Sequence, residues 1–370
     1  MTGPRIPAQA LTLLRPLARA ARREGLPLYA VGGCVRDWLL GRADVKDLDL
    51  VTEGDPAGLA RLCARSLGGR AEAFGAFKTL RVMGKDWRVD LAASRQEVYP
   101  EPACLPKVKP APLARDLFRR DFTINAMAVR LRPEGAGELV DPYGGWRDLK
   151  AKVLRVLHPA SFRDDPTRVF RAARFLCRLS LQPAPGFGVM VRQSLYGCIA
   201  GRLSRHRIAQ ELLRILAEQD PVSPLRRLRS WGYLDLVYPD LGTKMRGDTV
   251  AERLGSLVLG LGEKGEEFLA SLPVEHALAL RIKDALRLCR QKSSPRTALP
   301  AETARIAALA CPRLPEAALR PVFLGGSDLQ AAGLKPGPEF RSLLDEAARA
   351  QWAGRIRSRA EALAWLRDRI

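Results

Sequence analysis

The hydrophobic pattern of this 370-residue chain changes character once. Up to about residue 140, short apolar runs bounded by turn residues read as strands interleaved with helices. Beyond about residue 145, nearly all apolar spacing is helical. This asymmetry sets the fold class as α+β, a mixed sheet-and-helix head followed by an all-helical remainder. The length allows two or three domains. The pattern places them at 1–140 (head), 141–220 (an arginine-rich helical neck) and 221–370 (helical body and tail).

In the head, Leu28–Val31 reads as a short buried strand, followed by a Gly32-Gly33 turn and a helix from about Val35. A second strand covers Leu48–Val51, a helix 55–67, and a hairpin Thr79–Met83 with Trp87–Leu91, closed at Gly84-Lys85. The connection 94–117 carries five prolines and is expected to be irregular. Asp121–Leu131 reads as one further strand region. Residues 5–23 are Arg-rich and lack an acid before Glu24, as a transit peptide would. Leu11, Leu14 and Leu17 recur at helical spacing and lead straight into the first strand, so a structural first helix is the expectation.

Composition matters through charge. The chain carries 61 Lys and Arg against 40 Asp and Glu, a formal net charge of +21, which points to a polyanionic partner. Each of the segments 1–150, 151–220 and 221–370 contributes +7, so the short middle segment is the most densely basic, and its charge is almost all arginine. Guanidinium forks suit phosphate oxygens and base edges. No run of 18 apolar residues exists to span a membrane. The seven cysteines contain no CxxC pair, and the three histidines are scattered. Neither a disulfide framework, a cysteine zinc site nor a histidine metallohydrolase is expected. A reducing, cytoplasmic setting follows.

The candidate chemistry begins with Gly32, Gly33 and Arg36 and continues at Asp47-Leu48-Asp49. Two glycines between strand and helix let backbone N–H groups approach a phosphate. Asp47 and Asp49, two apart on a strand, leave the same face about 6.5 Å apart along the chain. That spacing suits a pair of divalent cations that clamp an attacking hydroxyl and a triphosphate. Asp90, between Val89 and Leu91, is a third carboxylate or an ordinary edge-strand acid. Arg119 and Arg120 beside Asp121 suit a triphosphate clamp held by an acid. Arg168, Arg171, Arg174 and Arg178 fall within about 120° on a helical wheel, a crowding that calls for an anion or a base among them. Asp165 before Pro166 is either a helix cap or a base-edge acceptor.

These residues carry a resemblance. The Gly-Gly turn, the DxD and the apolar-flanked Asp90 resemble the nucleotidyltransferase superfamily typified by DNA polymerase β. The run Arg119–Ala126 (RRDFTINA) looks like the signature of class II tRNA nucleotidyltransferases and bacterial poly(A) polymerases. Asp141–Leu149 (DPYGGWRDL), Asp164–Phe175 (DDPTRVFRAARF) and the positions Leu203, Ser204, Arg207, Ile208, Glu211 and Leu212 are similar to three further motifs of that family, in its order.

The resemblance implies a polymerase-β-like head with helical neck, body and tail. The implied reaction adds C or A, or both, to a tRNA 3′ end from CTP and ATP, without a nucleic-acid template. It implies two Mg²⁺ ions on Asp47 and Asp49, with Asp90 as a further catalytic candidate. The implied nucleotide contacts are Gly32, Gly33, Arg36, Arg119, Arg120, Asp121, Asn125, Asp165, Arg168, Arg171 and Arg174. Among these, Asp165 and Arg168 would read the base. Asp164 and His206 stand where the family usually has Glu. The 28 residues between Asp90 and Arg119 are not a short connection, which leans toward CCA or terminal-A addition. A poly(A) polymerase shares every motif, and a non-catalytic RNA binder is the alternative from another class. The oligomeric state is left open.

Overall fold

A computed structural model describes residues 4–42, 47–74, 79–196, 199–290, 301–310 and 322–370. The chain divides into two compact units, Met1–Leu203 and Ser204–Ile370. The expected boundary between head and neck lies inside the first unit.

The first unit is organised around a seven-stranded sheet. Its strands are β1 (Leu28–Val31), β2 (Asp47–Thr52), β3 (Arg70–Phe74), β4 (Thr79–Met83), β5 (Arg88–Ala93), β8 (Ala128–Arg132) and β9 (Gly135–Val140). The spatial order is β3-β4-β5-β2-β1-β8-β9. Only β2 and β5 pair in parallel; every other neighbouring pair is antiparallel. β1 is buried along its whole length, as its uninterrupted apolar run requires. β2 instead alternates, with Leu48 and Leu50 inside and Asp47 and Asp49 on the open face. Helix α1 (Ala8–Arg23) buries Leu14, Leu17 and Ala21, which bears out the structural first helix. It packs against α3 (Ala57–Leu67) and β8, while α2 (Gly33–Leu39) follows β1 directly.

The expectation of an irregular 94–117 is corrected. This stretch holds a separate antiparallel pair, β6 (Arg95–Val98) with β7 (Lys107–Pro110), and then α4 (Leu113–Phe118). The prolines do not forbid this, because Pro100, Pro102 and Pro106 lie between the strands. Pro110 closes the exposed edge strand and Pro112 stands just before the helix. The strand expected over Asp121–Leu131 starts only at Ala128; Thr123–Asn125 is a 3₁₀ turn. The helical rule beyond residue 145 also has an exception, a two-stranded parallel pair of β10 (Val153–Leu154) and β11 (Gln182–Pro183). The helices of this region are α5 (Gly145–Lys150), α6 (Ser161–Asp164), α7 (Thr167–Arg178) and α8 (Phe187–Tyr196).

The second unit is helical among its described residues, from Arg205–Leu216 to Arg359–Arg367. Tyr233, Leu234, Val237 and Leu241 are buried, so this aromatic-rich segment is core, not a stacking surface. Arg205 fastens it by donating to the carbonyls of Leu236 and Val237 at 2.9 and 2.7 Å. The last three helices enclose their own cluster of Leu324, Leu329, Ile356 and Leu366. Cys34, Cys63, Cys104 and Cys177 are free thiols, whereas Cys289 is disulfide-bonded, a bond that the scattered cysteine spacing does not announce.

Candidate active site

The parallel register of β2 and β5 sets the first half of the site. Asp47 stands opposite Arg88 and Asp49 opposite Asp90, so all four side chains share one face. β4 adds Arg81, the antiparallel partner of Asp90. Arg81 grips Asp90 with two bonds of 2.8 Å each. Arg88 reaches Asp47 at 3.1 Å and Asp90 at 3.8 Å. Asp49 lies open to solvent but crowded by protein. Desolvation pushes its carboxyl up, and the charges of Asp90 and Asp47 push the same way against the pull of Arg120 and Arg88. A carboxylate in that position is relieved by a cation.

The donors here are hard oxygens, which suits Mg²⁺. Among the described residues no three acids converge to cage a metal, and Asp90 is occupied by Arg81. The fit is therefore to Asp47 and Asp49, with water and phosphate oxygens completing the shell, as is usual for Mg²⁺.

Gly32 follows β1 as the N-cap of α2, and two features favour glycine there. Its φ of 75° is one that side chains resist. A Cβ there would also lie 2.8 Å from Nη1 of Arg120. The Arg120 guanidinium thus fills the space beside the glycine, where its charge reaches Asp49. The acid that holds it is not Asp121, as the sequence suggested, but Asp116 of α4. Asp116, fully buried, accepts from Arg120 Nη2 at 3.0 Å and from Arg119 Nε at 2.9 Å. Arg119 also donates to Glu97 at 2.8 Å. Burial raises the Asp116 carboxyl, but Arg120 and Arg119 overrule it and hold it below the usual range. Asp116 was legible in the sequence: it lies three and four residues before the arginines, the spacing of one helical face. Glu97, Arg81 and Arg88 had no such signal, because their contacts depend on strand pairing.

Asp121 serves the neck helix instead. It accepts from Arg171 Nε at 2.7 Å, from the Asn125 amide at 3.0 Å and from the backbone of Phe122 at 2.8 Å. Asn125 in turn accepts from Arg36 at 2.7 Å, and Arg36 forks onto Asp37 at 3.0 and 2.9 Å. This chain links α2, the RRDFTINA turn and α7. Phe175 is its floor: the guanidinium carbons of Arg36, Arg171, Arg174 and Arg178 lie 5.2–6.0 Å from its ring centre, within cation–π reach.

Arg168 leaves this group. It is buried and donates to Ser161 Oγ and to the carbonyl of Arg119, both at 2.7 Å. Asp165 accepts from the Thr167 backbone at 3.0 Å, but the residue at the N-cap of α7 is Pro166, one position later than the sequence placed it.

The DPYGGWRDL segment supports the turn. Asp141 accepts from Gly145 and Trp146 N–H at 2.7 and 2.9 Å. Asp148 accepts from Thr123 at 2.8 Å. A Cβ on Gly145 would meet the Thr123 carbonyl at 2.2 Å, so the backbones touch only because that residue is glycine.

Comparison with known proteins agrees with this architecture. Residues 28–155 match the poly A polymerase head domain. The chain is 34% identical over 377 residues to the CC-adding tRNA nucleotidyltransferase of Deinococcus radiodurans, covering 95% of this chain and 94% of that one. The chain belongs to the class II tRNA nucleotidyltransferase family. It is also 38% identical over 270 residues to the A-adding tRNA nucleotidyltransferase of Geobacter sulfurreducens, but spans only 31% of that protein's length. Among solved structures, a CCA-adding enzyme in an apo form aligns with a TM-score of 0.67 at 26% identity, over 99% of this chain and 97% of that one. A tRNA nucleotidyltransferase complexed with a primer tRNA and an incoming ATP analog aligns at 0.63 and 29%, over 79% and 94%. The seven-stranded unit is the polymerase-β-like head of this family.

Proposed function

We propose that this chain is a tRNA nucleotidyltransferase that adds C or A, or both, to the tRNA 3′ end. The 3′-hydroxyl attacks the α-phosphate of CTP or ATP and pyrophosphate leaves. The observation that carries this reading is an acidic face (Asp47, Asp49) that feels the charge of Arg120, in a unit whose Arg36, Asn125, Asp121 and Arg171 form one hydrogen-bonded chain. The acids sit where the reacting atoms would lie. Arg120, fixed by Asp116, and Arg36, Arg171 and Arg174 around Phe175 offer charge to a triphosphate.

Asp47 and Asp49 would hold Mg²⁺, which when bound supplies activation of the hydroxyl and charge stabilisation for the leaving group. Asp90 supports the face through Arg81. Asp165 and Arg168 would read the base edge, the carboxylate accepting from an amino group and the guanidinium donating to a ring nitrogen or carbonyl. Each good contact of that kind discriminates by about 1–3 kcal/mol. The helical second unit would contribute binding to tRNA. We place the reaction in the cytoplasm.

Three tRNA transcripts test this reading, ending at the discriminator base, at C and at CC. Each is incubated with Mg²⁺ and CTP, ATP or both. Extension of the first to CCA makes this a complete enzyme, and a stop at CC makes it the CC-adding half of a pair. Acceptance of the CC-ended transcript alone makes it the A-adding half. The relative matched end to end adds CC, so the first transcript is the most informative. Long A tracts on unstructured RNA would favour a poly(A) polymerase, and no extension of any substrate would refute the proposal.

A further inference from the structure

Two arginines serve the three carboxylates of the β2–β5 face, and they are not equivalent. Arg81 is enclosed and makes a fork of two 2.8 Å bonds to Asp90. Its side chain is 15% exposed and that of Asp90 16%, so the pair is part of the framework. Arg88 is 40% exposed and makes one close contact, 3.1 Å to Asp47, itself 63% exposed. Its second contact, to Asp90, is a looser 3.8 Å. The parallel register puts Arg88 directly opposite Asp47 and two residues along from the Asp49–Asp90 pair, on the same face. A single long side chain therefore lies across the acidic face, near where a cation on Asp47 and Asp49 would sit. A guanidinium and a divalent cation repel each other, and Arg88 has the solvent access to move.

We infer that Arg88 is a displaceable internal counter-ion, which a divalent metal must drive off Asp47 before the site can fill. The inference rests on the metal assignment proposed above. It makes Arg88 a determinant of metal affinity and not a ligand or a catalytic residue. An exposed pair of this kind is modest in energy, so its effect is a tuning of affinity.

The test is direct binding of Mn²⁺ to the full-length chain without RNA or nucleotide, followed by loss of the free-ion paramagnetic resonance signal. Arg88→Gln is expected to tighten Mn²⁺ binding about two- to fivefold. Arg88→Lys keeps the charge without the planar fork and is expected to fall between wild type and R88Q. It carries the test if R88Q loses its thermal unfolding transition. Asp47→Asn is expected to abolish the tight binding in either background. Equal or weaker Mn²⁺ binding in R88Q and R88K overturns the inference while leaving the metal assignment intact. If wild type and Asp47→Asn bind Mn²⁺ identically, the metal assignment falls and the counter-ion role with it.

Discussion

Single side chains in this site work through charge placed where it is expensive to leave alone. Asp47→Ala should abolish nucleotide incorporation while RNA retention on a filter stays near wild type, because the carboxylate serves the reacting centre and not the basic surface. Activity equal to wild type would remove Asp47 from the metal site. Gly32→Ala faces both a positive φ and the Arg120 guanidinium. Strain of this kind costs about 1–3 kcal/mol, and we expect kcat/KM to fall about tenfold or more in single-turnover extension. Asp116 and Asp121 give the pH dependence. Burial raises both carboxyls, but Arg120 and Arg119 at one, and Arg171 with Asn125 at the other, hold them below the usual range. A depressed native value means stability that is fully present above the unfolded-chain value near about 3.9. It drains away as pH falls through the native values. Asp116→Asn should therefore lose about 3 kcal/mol or more at neutral pH, with the gap to wild type narrowing below about pH 4. Urea denaturation at two pH values measures this; a gap independent of pH would contradict the ion-pair account.

Among the elements, the short turn Thr123–Asn125 is held from several sides. It receives Arg36 through Asn125, passes Asp121 to α7, and is backed by α5 through Asp148 and Gly145. The DPYGGWRDL motif thus has a structural cause, the close approach of two backbones, beside any family role. Gly145→Ala should destabilise the first unit by about 1–3 kcal/mol. Hydrogen exchange at Ala126, whose N–H bonds Thr123 at 3.0 Å, should accelerate in step. Unchanged exchange there would mean that the clash is absorbed elsewhere. The connection 94–117 makes a similar point: this Pro-rich stretch is anchored by a strand pair and a helix, and the helix carries Asp116.

For the molecule as a whole, the excess of 61 basic over 40 acidic residues is spread along the chain. Binding to tRNA should then fall by about a thousandfold or more between roughly 50 and 200 mM salt, the behaviour of a protein that neutralises about six or more phosphates. A slope of log affinity on log salt near zero would argue for a small-molecule substrate. No described helix is long and apolar enough to cross a membrane.

How much of this was legible beforehand depends on the range of the interaction. The limits of β1, the alternation along β2, the first helix and the β4–β5 hairpin all follow from neighbours within a few residues, and the amino-acid sequence determined them. The motif runs gave the family by the same local logic. The spacing offered Asp116 for the arginine pair, but the sequence could not show that Asp121 turns away to Arg171, because that contact spans 50 residues. It could not show that Arg81 fixes Asp90 while Arg88 stays movable, because both contacts cross strands whose register is set by the sheet. Nor could it separate Arg168 from the arginines around Phe175. A helical wheel places the four together, but burial against Ser161 and the Arg119 carbonyl assigns Arg168 elsewhere. Local pattern decided which groups are present; tertiary packing decided which charges face each other, since buried ions settle on whatever partner the fold brings within hydrogen-bond reach.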